Sequence, residues 1–95
     1  MPEMNFRVRW PDGREMDCYS PSLVVREHLA VGASYPLPEF TRRTREALAI
    51  ASERVRAKYG FACSKALDQL AAIEAEAATF GGAGRVQVLA FDPPE

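Results

Sequence analysis

From residue 4 the chain alternates. Met4, Phe6, Val8 and Trp10 fall on one side of an extended backbone, and Asn5, Arg7 and Arg9 on the other. A period of two is the mark of a half-buried strand. "WPDGRE" then supplies a tight turn: Pro11 presets its backbone angle, and Gly13 accepts a positive one. The alternation resumes in "EMDCYS", with Met16 and Cys18 on one face and Glu15, Asp17 and Tyr19 on the other. The pattern predicts a β-hairpin.

The period changes downstream. In "SPSLVVREHLAVGASYPLP", Ser22 suits the start of a short helical turn, although Val24-Val25 fits a strand equally well. Gly32 breaks that segment, and Pro36 keeps Tyr35 extended. Phe40, Thr44, Ala47, Leu48, Ala51 and Val55 form one stripe of a helix running from about residue 38 to 59. Pro38 is placed for its first turn, and Gly60 for its C-terminal stop with Phe61 as the accompanying apolar contact. A second helix is expected over about 62–79, burying Ala66, Leu67, Leu70, Ile73, Ala77 and Phe80. "GGAG" releases the chain into a last strand, "RVQVLAF". The order β-β-(short α)-α-α-β predicts an α+β fold, a small antiparallel sheet of hairpin plus C-terminal strand covered on one face by two long helices. The last strand is expected beside the first. A three-stranded sheet leaves two bare edges, and a bare edge favours a homodimer.

With 95 residues, 47% of them hydrophobic and 26% charged, the chain makes one globular domain with a modest core. A net charge of −1 gives no global field toward nucleic acid or anionic lipid. No apolar run reaches the roughly 20 residues of a membrane span, and "MPEMNFRVRW" lacks the character of a signal peptide. The expected location is the cytoplasm, where Cys18 and Cys63 stay reduced; a Cys18–Cys63 disulfide is not expected.

Candidate chemistry is sparse. Cys63 sits at a helix start beside Ser64 and Lys65, surroundings that lower a thiol pKa or hold a small anion on free N–H groups. Packing as a small hydrophobe is the commoner use of such a cysteine. His28 is the one histidine, so it offers no ligand spacing to test. Tyr35 in "GASYPL" is a candidate pocket residue. Cys18, His28 and Asp17 have the residue types of a thiol hydrolase, but nothing in the sequence joins them. The arginines of the first long helix, Arg42, Arg43, Arg45, Arg54 and Arg56, alternate with Glu39, Glu46 and Glu53. The spacing predicts Arg42 with Glu46 or Glu39 and Glu53 with Arg56, a salt-bridged face rather than a phosphate-binding one, with some arginines reaching the acidic second helix. No phosphate loop, nucleophile elbow or zinc spacing is present in the sequence, and no cofactor is expected.

"MPEMNFRVRWPDG", "DCYSPSLVV", "GASYPL" and above all "ASERVRAKYGFACSKALDQLAAIE" resemble a family of very short bacterial proteins, the nitrogen starvation response proteins. The resemblance covers nearly the full chain. It implies a gene cluster beside an aliphatic nitrilase, with a radical-SAM protein, an acetyltransferase, an aminoimidazole ribonucleotide synthase-like protein and a flavoprotein. That cluster is linked to nitrogen limitation and to cyanide or nitriles as nitrogen sources. A pathway follows from the resemblance, with other cluster products as possible partners, but no catalytic residue does. The expectation is a non-catalytic accessory protein, the alternative being a small-ligand or anion binder, or a small thiol enzyme, at Cys63.

Overall fold

The hairpin forms as its alternation dictates. In the computed structural model, which describes residues 2–94, β1 (Met4–Arg9) pairs antiparallel with β2 (Glu15–Ser20), Met4 opposite Ser20 and Arg9 opposite Glu15. Its turn closes with Gly13 N–H donating to Trp10 O (2.9 Å) and Trp10 N–H to Arg14 O (2.8 Å). Gly13 takes a φ of 90°, and Asp12 accepts the Arg14 N–H at 3.0 Å. Met4, Phe6, Val8 and Trp10 are all buried, so one face of β1 is core.

The ambiguous segment resolves as one helical turn, α1 (Val25–His28), with Ser22 Oγ accepting the Val24 N–H (3.3 Å) just ahead of it. The expected three-stranded sheet is a four-stranded one. Ser34–Pro36 forms a further strand, β3, and the order is β2-β1-β4-β3, with β4 spanning Arg85–Asp92. Extended backbone before Pro36 was legible. Its antiparallel partner, with Tyr35 opposite Val86, was not. The extra strand also alters the edges on which a homodimer was expected. One edge is now three residues ending in proline, which cannot donate to a further strand. On the other edge the Tyr19 N–H already donates to the Gln69 side chain at 3.0 Å.

As expected, β4 lies beside β1, but the ladder slips between Arg7 and Val8: Val8 faces Val88, while Arg7 faces Ala90. Leu89 is the extra residue of a β-bulge. The slip changes the phase of the alternation, so Val86, Val88 and Phe91 all point to the core although their spacing is not uniformly two.

Two antiparallel helices cover that face. α2 (Leu37–Tyr59) buries the predicted stripe, Phe40, Thr44, Ala47, Leu48, Ala51 and Val55, together with Leu37 and Ser52. Gly60 stops it in the left-handed conformation (φ 87°), its N–H donating to Arg56 O at 2.8 Å. Phe61 does not make the expected capping contact and is 68% exposed. One turn back, Arg56 and Ala57 are themselves exposed and offer it no apolar seat. α3 (Ser64–Ala78) buries a narrower seam than predicted: Ala66, Ile73 and Ala77, with Leu70 half-buried. Leu67, about 100° round the helix from Ala66, is 49% exposed. Trp10 is sandwiched in the core, edge-on to Phe40 (5.6 Å) and stacked on Phe80 (6.0 Å). Among the described residues, no helix is long and apolar enough to cross a membrane.

Candidate functional site

The residues singled out for chemistry fall into two groups on different elements. The first gathers at the start of α3. Cys63 is the cap residue, extended (φ −79°, ψ 108°) and half-buried, and its side chain makes no capping bond. Ser64 opens the helix and is exposed. Lys65 lies over the Tyr19 ring, its Nζ 5.7 Å from the centroid. The Tyr19 hydroxyl donates to Glu3 Oε2 at 2.9 Å. Burial pushes the Tyr19 phenol up to about 12, helped by the Glu3 hydrogen bond and charge. Beside this group lies a shallow recess of about 330 Å³ lined by Tyr19, Lys65, Asp68 and Gln69.

The second group clamps the α1–β3 connection onto α2. His28 Nδ1 is 3.2 Å from Val24 O, so this nitrogen carries a proton and donates. His28 O accepts from Arg43 Nη1 at 2.9 Å, and Arg43 Nε donates to Glu39 at 3.0 Å. The same guanidinium lies 4.7 Å over the Tyr35 ring, whose hydroxyl accepts the Ala30 N–H at 3.0 Å. His28 and Tyr35 therefore have evident structural work. No hydrogen bond or ion pair joins them to Cys63, Ser64 or Lys65 among the described residues.

The thiol-hydrolase triplet comes apart as well. Cys18 is buried on the core face, and burial, reinforced by the Asp17 charge, pushes its thiol up to about 12. Asp17 projects from the opposite face, where Arg7 Nε donates to it at 2.8 Å and holds its carboxyl below the usual range. Both cysteines are free thiols. No set of three or more His, Cys, Asp or Glu side chains among the described residues is arranged to hold a metal.

The arginines of α2 are paired much as their spacing predicts. Arg42 reaches Glu46 (3.2 Å), Arg43 reaches Glu39 rather than leaving it to Arg42, and Arg56 reaches Glu53. Arg45 crosses to Glu74 on α3 (2.8 Å), and Arg54 donates to Ser22 Oγ (2.8 Å).

Two surfaces escaped residue-by-residue reading. The outer face of the sheet carries a recess of about 380 Å³ where the bulge opens beside Asn5, Arg7, Asp17 and Asp92. A separate cleft of about 340 Å³ lies between Arg9, Arg85, Gln87 and Ser34. The alternation of β1 marks Arg7 and Arg9 as outward-facing, but only the pairing of β4 with β1 and β3 brings Arg85 beside Arg9. At the other surface, Tyr59 (53% exposed), Phe61 and Leu67 leave apolar area in water where α2 turns into α3.

No curated protein and no solved structure matches the chain. The family described as nitrogen starvation-induced protein NitG matches residues 5–91, which spans every strand and helix except the first residue of β1 and the last of β4. The chain belongs to this nitrogen starvation-induced family.

Proposed function

We propose that the protein is a non-catalytic accessory of the nitrogen starvation response that acts by docking onto another protein. The proposed partners are products of the nitrilase-linked cluster that the family resemblance implies. The observation that carries this reading is the apolar area at the α2–α3 turn, where Phe61 is 68% exposed and the flanking Tyr59 and Leu67 of the two helices are exposed as well. Ordinary packing does not account for a phenylalanine so placed in a domain short of core. Fully burying such a side chain in an interface contributes about 1.5–3 kcal/mol, enough for a few of them to anchor a complex. The ion pairs of α2 support the reading too, because Arg42, Arg43, Arg45 and Arg56 are each matched by a glutamate, which leaves the apolar residues as the adhesive part of that surface.

Co-elution of the tagged chain with each cluster product at micromolar concentration tests it. Binding by the wild type that is lost in Phe61→Ser/Leu67→Ser, with unchanged circular dichroism, is the expected result. Retention of no cluster product would sink the proposal. A second copy of the chain is the competing occupant, and light scattering distinguishes it: a dimer broken by the same pair of substitutions assigns the corner to self-association.

A further inference from the structure

The outer sheet face is not electrically uniform. In the recess at the bulge, Arg7 is paired with Asp17 and Asp92 lines the same wall, while the recess beside α3 has Asp68 in its lining along with Lys65. The cleft at the hairpin end of the sheet differs. Its lining brings two guanidiniums, Arg9 and Arg85, together with the Gln87 amide and the Ser34 hydroxyl, and among the described residues includes no carboxylate. Register explains the gathering: Arg9 lies directly across from Gln87, Gln87 across from Ser34, and Arg85 two residues along β4 on the same face.

The two arginines are held in different ways. Arg9 Nη2 donates to Glu15 at 3.2 Å, so part of its charge is compensated from β2. Arg85 is oriented by neutral acceptors, its Nε donating to Ser34 Oγ (3.0 Å) and its Nη2 to Ser34 O (2.8 Å). Those bonds fix the guanidinium without cancelling its charge, and its other N–H groups stay uncommitted among the described residues. A charged fork held in place before a ligand arrives loses less freedom on binding. The cleft wall is fixed as well. Gly84 approaches the Pro11 ring so closely that a Cβ there would sit 2.6 Å from Pro11 Cβ, and Gly84 O accepts the Leu37 N–H at 3.1 Å.

We infer that this cleft is a binding site for a small oxyanion, a phosphate or carboxylate group seated between the Arg9 and Arg85 guanidiniums with Gln87 as a further donor. Guanidinium forks match both groups, and charge-assisted bonds to them are the stronger class of hydrogen bond. The site is open to solvent, so binding weakens as salt rises.

The test is an amide-resolved NMR titration of the full chain with inorganic phosphate and, separately, with acetate, each at constant ionic strength against a chloride control. Saturable shifts confined to Gly84, Arg85, Gln87 and Ser34 are expected with one or both anions; the tighter of the two names the ligand group. Arg85→Gln is expected to weaken binding about tenfold or more, and Arg85→Lys to recover part of it through charge without the fork. Arg9→Gln is the second variant should Arg85→Gln lose its fold, which its amide spectrum reports. Shifts no larger than those with chloride, or wild-type affinity retained in folded Arg85→Gln and Arg9→Gln, overturn the inference.

Discussion

Ile73 is the one large side chain that α3 buries completely: it is 0% exposed, and its companions on the seam are Ala66 and Ala77. Ile73→Ala removes three carbons, worth roughly 2.4 kcal/mol at about 0.8 kcal/mol each, and the cavity left beneath a helix already fixed by alanines raises the loss to about 3–4 kcal/mol. A chain of 95 residues is stable by roughly 5–14 kcal/mol, so this substitution removes a large fraction of the total. The melting temperature should fall by roughly 12–30 °C. Leu67→Ala is the control. It deletes the same number of carbons from the same helix, but from a side chain 49% exposed, and should cost under about 1 kcal/mol. Urea unfolding followed by far-UV circular dichroism measures both, with equal slopes confirming that the unfolded states match. A loss below about 1 kcal/mol for Ile73→Ala, or equal losses for the two variants, would refute this account of how α3 is attached.

The thiols should separate by burial. In the native protein a thiol reagent at neutral pH should modify half-buried Cys63 and spare Cys18, which carries almost no thiolate with its pKa near 12; rapid labelling of both without denaturant would contradict the placement of Cys18. The glycines should separate by surroundings. Gly60→Ala and Gly84→Ala face the same positive φ, 87° and 91°, and each should lose about 1–2 kcal/mol, but Gly84→Ala should lose roughly 1–3 kcal/mol more because Pro11 occupies the space its Cβ needs. Thermal melts of the two variants give the comparison, and equal losses would argue against the contact.

What the sequence disclosed was whatever a run of neighbouring residues decides. The hairpin follows from strict alternation about "PDG", the α2 stripe from one continuous helical period, and its end from a glycine that alone tolerates the stop. The parts that stayed hidden depend on partners distant along the chain. β3 is three residues long and exists because β4 offers it a ladder. The bulge at Leu89 cannot be read from "RVQVLAF", whose alternation breaks only in register with β1. Leu67 looked like core because leucine suits a helical stripe, yet the seam between α2 and α3 is only wide enough for Ala66, Leu70, Ile73 and Ala77. The same reasoning explains the site. Cys63, Ser64 and Lys65 are neighbours in sequence and remain so in space, whereas the ties of His28 and Tyr35 to Arg43 join residues distant along the chain.

Apolar area at the α2–α3 turn and the guanidiniums of Arg9 and Arg85 both face water. They belong to different elements, one to the free end of the helix pair and the other to the outward face of β1, β4 and β3. Their tests are therefore separable. Phe61→Ser lies outside the sheet and should leave the phosphate or acetate shifts intact, while Arg85→Gln should leave partner retention intact, since sites that share no residues contribute independently. A variant at either place that abolished both readouts would have to act through the fold, and the unfolding curve that ranks Ile73→Ala against Leu67→Ala would register it as a loss of stability.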